Sequence, residues 1–202
     1  MDRLIEGYRR FREEIWPVAQ ARYEALATKG QSPETMMISC SDSRVDPATV
    51  FDAGPGEIFV VRNIAGLVPP YQPDGLPHGS SAAIEYGVRV LKVKRLVVLG
   101  HAQCGGVRAL VDGAPAEAGD FVESWMAIAK SALPPIPDPP HSDDVFSHYE
   151  AAVVKLSLRN LMTFPWIAEA VEAGTLVLHG FSFDVHNGVL SRLVGERFEV
   201  VE

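Results

Sequence analysis

The chain reads as an α/β protein: a central, mostly parallel β-sheet flanked by helices, with a helical arm ahead of it. Three observations predict this. Short apolar runs, partly β-branched and closed by glycine or by polar turn residues, recur along the chain at strand length. Helical patterns separate the later runs, which is the alternation that builds a parallel sheet. Residues before position 30 carry a helical stripe and no strand pattern.

The arm comes first. Leu4, Tyr8, Phe11, Ile15 and Val18 recur at spacings of three and four, Ala21 and Ala25 continue the stripe, and Lys29-Gly30 stops it, so residues 2–28 predict an amphipathic helix. Pro17 should kink or split it near Trp16. The stripe needs a cover, either the chain's own domain or a second subunit. Strands follow at 35–40, 57–61, 95–100 and 175–180, the third being the most strongly apolar. Helices are expected at 79–92 (Ala82, Ala83, Tyr86, Val90 and Leu91 on one side), at 104–111, and at 144–172 with a break at Pro165. Segments 66–78 and 133–143 are rich in proline and read as loops, the first of them exposed. The division is therefore an arm, 1–30, and an α/β domain, 31–202.

Composition narrows the function. The chain has 202 residues, 47% hydrophobic and 22% charged, which suits a packed domain. A formal charge of −8 argues against a nucleic-acid partner and gives no reason to dock on anionic lipid. The first residues are charged with no apolar signal segment, and no run is long enough to span a membrane, so cytoplasm is the expected location. Two cysteines far apart in such a chain are ligands or core thiols rather than a disulfide.

Those cysteines carry the chemistry. Cys40 ends the first strand, His101 ends the third, and Cys104 follows at a helix start. Sites in open α/β sheets form at the carboxyl ends of strands, so all three are expected at one edge. Two thiolates and an imidazole are a zinc ligand set, and three protein ligands leave a fourth tetrahedral position open, as in a catalytic site. A helix N-terminus and a bound cation both favour the thiolate of Cys104. Asp42 lies beside Cys40 and could accept a hydrogen bond from zinc-bound water; Arg44 could hold it ionised in a bidentate pair. Gly105-Gly106 gives close backbone access beside the metal.

Blander readings stand against these. Two cysteines alone are more often buried core thiols. Asp42 and Arg44 alone would be a surface ion pair. Residues 100–106 lack the Lys-Ser/Thr of a phosphate loop and the glycine spacing of a dinucleotide site. His78, His141, His148, His179 and His186 show no ligand spacing, and His78 is at most a weak candidate for passing protons.

At this point the chain resembles the β-class carbonic anhydrases, from about residue 34 to near its end. Four motifs carry the resemblance: Cys40-Ser41-Asp42-Ser43-Arg44-Val45, residues 56–65 from Gly56-Glu57 to Ile64-Ala65, Gly100-His101-Ala102-Gln103-Cys104-Gly105-Gly106, and Ser157-Leu158-Arg159-Asn160-Leu161 followed by Leu178-His179-Gly180-Phe181. The resemblance implies one zinc per chain on Cys40, His101 and Cys104, with Asp42 and Arg44 as the dyad that orients zinc-bound hydroxide. The implied reaction is reversible hydration of CO2 to bicarbonate and a proton. It also implies a homodimer with the arm packed on its partner, or a tetramer of two such dimers. One branch of that family has an inhibitory bicarbonate pocket built on Trp, Arg and Tyr. Here those positions are Met37, Arg62 and Phe183, so no such pocket is expected, and Asp42 is expected on Arg44 rather than on the metal. Two alternatives remain: a hydrolase of carbon disulfide or carbonyl sulfide on the same scaffold, and a zinc-holding or redox-sensing protein without turnover.

Overall fold

The computed structural model describes residues 1–135 and 143–202. Most of the proline-rich segment, with His141, lies outside them.

The arm consists of α1 (Asp2–Arg10), a π-helical turn at Phe11–Ile15 and α2 (Trp16–Lys29). Pro17 accounts for the π turn. It has no N–H to give, and its ring crowds the carbonyl four residues back; one wider turn relieves both. The expected split thus falls immediately before Trp16. No arm residue is buried, and Leu4, Tyr8, Ile15 and Val18 are exposed. The arm meets the body through Arg22, which donates to the Pro55 carbonyl (2.6 Å) and pairs with Glu57 (3.1 Å), and through Leu26 against Gly56.

The body runs β1 (Thr35–Cys40), α3 (Pro47–Val50), β2 (Ile58–Asn63), a 3-10 turn (Ile64–Gly66), α4 (Gly79–Glu85), a π turn (Tyr86–Val90) and β3 (Arg95–His101). Then come α5 (Gly105–Asp112), a 3-10 turn (Ala116–Ala118), α6 (Val122–Ala132), α7 (Asp143–Leu161), α8 (Pro165–Glu172), β4 (Val177–Phe183), β5 (Leu190–Val194) and β6 (Arg197–Val200). The sheet order is β2-β1-β3-β4-β5-β6, with the first four parallel and the last two antiparallel. All four expected strands are present. The final hairpin was not anticipated: its residues alternate apolar with polar and stay largely exposed. Gly195 at φ +58 opens its two-residue turn, a conformation that suits the twist of a hairpin.

Parallel strands bury both faces, and the core follows. Met36, Ile38, Leu96 and Val98 pack with Ile84, Leu161, Phe164 and Ile167 from α4, α7 and α8. The alternate residues Met37, Val97 and Leu99 meet Val45, Phe51 and Phe181 on the other face. A third cluster, between α5, α6 and α7, includes Cys40 and Cys104. The expected exposed loop after β2 is exposed only from Pro70; residues 65–69 are buried. The backbone polar groups there are met by α7: Val68 N–H donates to Ser157 Oγ (3.0 Å) and its carbonyl accepts from Asn160 (2.8 Å). No described helix is long and apolar enough to cross a membrane.

Candidate metal centre

Strand register builds the site. Ser39 pairs with Leu99, so Cys40 and His101 emerge one and two residues beyond that pair, at one edge of the sheet. Gln103 then turns the chain in the left-handed region (φ +58), and Cys104 precedes the first turn of α5. Helix α5 can start this close because Gly106 has no side chain: a Cβ there would lie 2.7 Å from Ile64 and 2.9 Å from Ala65. Gly106 is therefore a packing residue, while Gly105 faces open space.

Cys40, His101 and Cys104 are buried, and their ligand atoms lie within 4.8 Å of one another. The sulfurs are 3.8 Å apart. That is too far for a disulfide, and it matches the roughly 3.8 Å edge between two sulfurs about 2.3 Å from a tetrahedral zinc. His101 Nδ1 donates to the Ala102 carbonyl (2.8 Å), which leaves the lone pair on Nε2. Nε2 is buried without a hydrogen-bond partner. A bare imidazole nitrogen beside two thiols is what a metal would satisfy.

The thiols are unequal. The hydrogen bond between the two sulfurs pulls Cys40 below the ordinary thiol range, against the cost of burial. Donating that bond, together with burial, pushes Cys104 well above the ordinary thiol range. One proton thus leaves readily and the other is retained; a cation would let both sulfurs be thiolates. Burial works to lower His101, but the neighbouring Cys40 sulfur and the Ala102 carbonyl outweigh it and raise the imidazole.

Asp42 and Arg44 meet as expected. Asp42 Oδ1 accepts from Arg44 Nε (3.0 Å) and N (2.9 Å), and Oδ2 accepts from Nη2 (2.7 Å). These bonds hold the Asp42 carboxyl well below its ordinary range. Nη2 also donates to the Gln103 carbonyl (2.9 Å), so the guanidinium ties the segments of Cys40 and Cys104 together.

A family model described as carbonic anhydrase matches residues 35–190. The solved β-carbonic anhydrase CcaA superposes with a TM-score of 0.89 at 30% identity, over 100% of this chain and 92% of its own. The chain belongs to the β-carbonic anhydrase family. A curated carbonic anhydrase of Pseudomonas aeruginosa is 37% identical over 195 residues, covering 95% of this chain and 87% of that protein. A tetrameric β-carbonic anhydrase of Sordaria macrospora matches at 30% identity and a TM-score of 0.69, over 88% and 92% of the two chains. Carbonic anhydrases of this class are zinc enzymes, and the Cys40–His101–Cys104 group suits that ion.

Two further residues shape this carbonic anhydrase site, and sequence reading missed their part. Arg62 donates Nε to the Cys40 carbonyl (2.9 Å), Nη2 to the carbonyls of Asp42 (2.7 Å) and Val45 (3.0 Å), and Nη1 to Asp46 (3.1 Å). Glu150, on α7, accepts the Cys104 N–H (3.1 Å), and burial raises its carboxyl. An arginine at a strand end and an acid on a helix are common, so neither announces its role in the sequence.

Proposed function

We propose that the chain catalyses the reversible hydration of CO2 to bicarbonate and a proton, with one zinc per chain on Cys40, His101 and Cys104. One observation carries the reading: a three-ligand group that suits zinc stands beside a bidentate carboxylate–guanidinium pair. A purely structural metal has no use for that pair. Zinc on these ligands supplies the Lewis acidity that makes water a nucleophile near neutral pH. Asp42, kept ionised by Arg44, acts only as an acceptor: it takes a hydrogen bond from the attacking water and fixes where its lone pair points. Arg44, which holds that carboxylate, is itself fixed by the bond it donates to the Gln103 carbonyl. His101 keeps the tautomer that presents Nε2.

Three further expectations join this reading. Arg62 is engaged with four groups and Met37 is buried in the sheet, which supports the absence of an inhibitory bicarbonate pocket. The bare apolar stripe of the arm supports a homodimer in which it packs on the partner, with tetramers built from such dimers, and supports an arm–domain boundary near residue 30. Buried free thiols fit a reducing cytoplasm.

The test is stopped-flow CO2 hydration by zinc-loaded protein from mildly acidic to mildly alkaline pH. Turnover that rises with pH and drops roughly tenfold or more in Asp42→Asn is expected. Zinc-replete protein inert toward CO2 at every pH would overturn the reading; activity on carbonyl sulfide would then identify the sulfur hydrolase, and inertness there too a sensor.

A further inference from the structure

Each hydration of CO2 releases a proton that must leave the site. A cavity of about 1000 Å³ reaches the Cys40 segment through Ser41, which lies in its wall. Asn63, Ser80, Ser81 and His78 line it too. Trp125 and Ile128 supply apolar wall. The polar groups are linked to the ligand segment: Ser41 N–H donates to the Asn63 carbonyl (2.8 Å), and Asn63 Nδ2 donates to Ser80 Oγ (3.0 Å). Asn63 Oδ1 is buried and no protein donor reaches it.

Among the described residues, His78 is the imidazole on this wall. It caps the start of α4, and its side chain is 36% exposed, so it can exchange protons with bulk buffer. Nε2 lies 2.7 Å from Asp74 Oδ1. A carboxylate only accepts, so Nε2 is the donor, and in the neutral ring the basic lone pair is on Nδ1. Asp74 is itself held as an anion: the Leu76 N–H donates to it (2.9 Å), and that bond, then His78, lowers its carboxyl. The other charged groups near His78 are Glu85 and Arg89, which share a second, smaller cleft with it and pair with each other (2.8 Å). Asp74 thus fixes the ring through Nε2 and leaves the Nδ1 lone pair to take a proton.

We propose that His78, oriented by Asp74, is the proton acceptor of this enzyme, taking the proton of each hydration across the Ser41–Asn63–Ser80 wall and passing it to buffer. The proposal rests on the carbonic anhydrase reading. In balance, Nδ1 gains the proton that hydration releases, and the imidazolium then loses it to a buffer base. No bond in the substrate is made or broken by His78.

The test compares zinc-loaded wild type and His78→Ala at low and high buffer concentration. At low buffer, the variant is expected to lose about tenfold in kcat, with kcat/KM within about twofold of wild type, because proton export follows the CO2 step. Imidazole in solution should restore kcat. A second readout needs no turnover: ¹⁵N NMR of the histidine rings should show neutral His78 protonated on Nε2, and Asp74→Asn should mix the two tautomers. Unchanged kcat at low buffer overturns the proposal. So does a joint, unrescued fall of kcat and kcat/KM, which marks a structural residue, or a neutral ring protonated on Nδ1. Wild type inert toward CO2 instead overturns the function, and this role with it.

Discussion

Residues 40–46 and 101–106 bring candidate metal ligands to the same place, yet they are held by opposite means. The first segment is clamped from outside. Arg62 spends its guanidinium on three of its carbonyls and on Asp46, which in turn caps α3 through the Thr49 N–H. The second is held by its own backbone: a left-handed Gln103, a glycine packed against Ile64 and Ala65, and a single N–H given to Glu150. Arg44 joins the two. Ligand geometry here comes from anchoring the backbone, and the anchors lie far off in sequence.

Loss of either sulfur should erase this difference. Cys40→Ser and Cys104→Ser are each expected to leave the protein with little zinc and with CO2 hydration down by about a hundredfold or more, since each sulfur is one of only three proposed ligands. Metal content by atomic emission, measured beside turnover, checks this. Full zinc and activity in either variant would remove that cysteine from the ligand set.

The anchors should separate the segments. Arg62→Ala strands three carbonyls and is expected to cost roughly 3 kcal/mol in urea unfolding of the metal-free protein. Glu150→Ala strands one N–H and should cost about 1–2 kcal/mol, while Glu150→Gln, which keeps an acceptor, should cost less. Equal losses for Arg62→Ala and Glu150→Ala would mean that the clamp is not what distinguishes the first segment.

The two carboxylates should also respond to pH with opposite signs. Asp42 is lowered in the folded chain, chiefly by Arg44, so its contribution is present above about pH 4, the ordinary aspartate value, and fades as pH falls below it. Glu150 is raised by burial, so the folded state binds its proton more tightly and stability falls as pH climbs above about 4, the ordinary glutamate value. Asp42→Asn should flatten the acid limb of the stability profile and Glu150→Gln the descent above it. Unfolding free energies of metal-free protein across pH 2–7 would show both. Parallel shifts in the two variants would contradict the assignment.

Much of this was legible from residues alone. The candidate ligands stood out because soft donors at strand ends are rare, and the strands because β-branched apolar runs have few other uses. The Asp42–Arg44 pair was legible through its nearness to Cys40. What escaped notice depends on long-range contact. Glu150 and Arg62 act through backbone groups that any residue type supplies, so their targets leave no mark. Residues 65–69 look like loop because they lack a period, yet they lie under α7 where Ser157 and Asn160 meet their polar groups. The β5–β6 hairpin carries too little apolar surface to announce itself, and its clearest signal is Gly195.

The smallest effect tests whether the second segment stores strain. A non-glycine residue at φ +58 costs about 1 kcal/mol, which Gln103→Gly should return in part, offset by the greater freedom of an unfolded glycine. Stability should therefore change by less than about 1 kcal/mol. The Gln103 carbonyl still accepts from Arg44 in the variant, so zinc content should hold. Activity is the sharper readout. If the strained turn sets where Asp42 points, loosening it lets the Arg44 bridge shift, and kcat should fall a few-fold at unchanged zinc. If kcat holds, the bridge is positioned by Arg62 and the first segment alone, and the left-handed turn serves only to bring Cys104 to the metal.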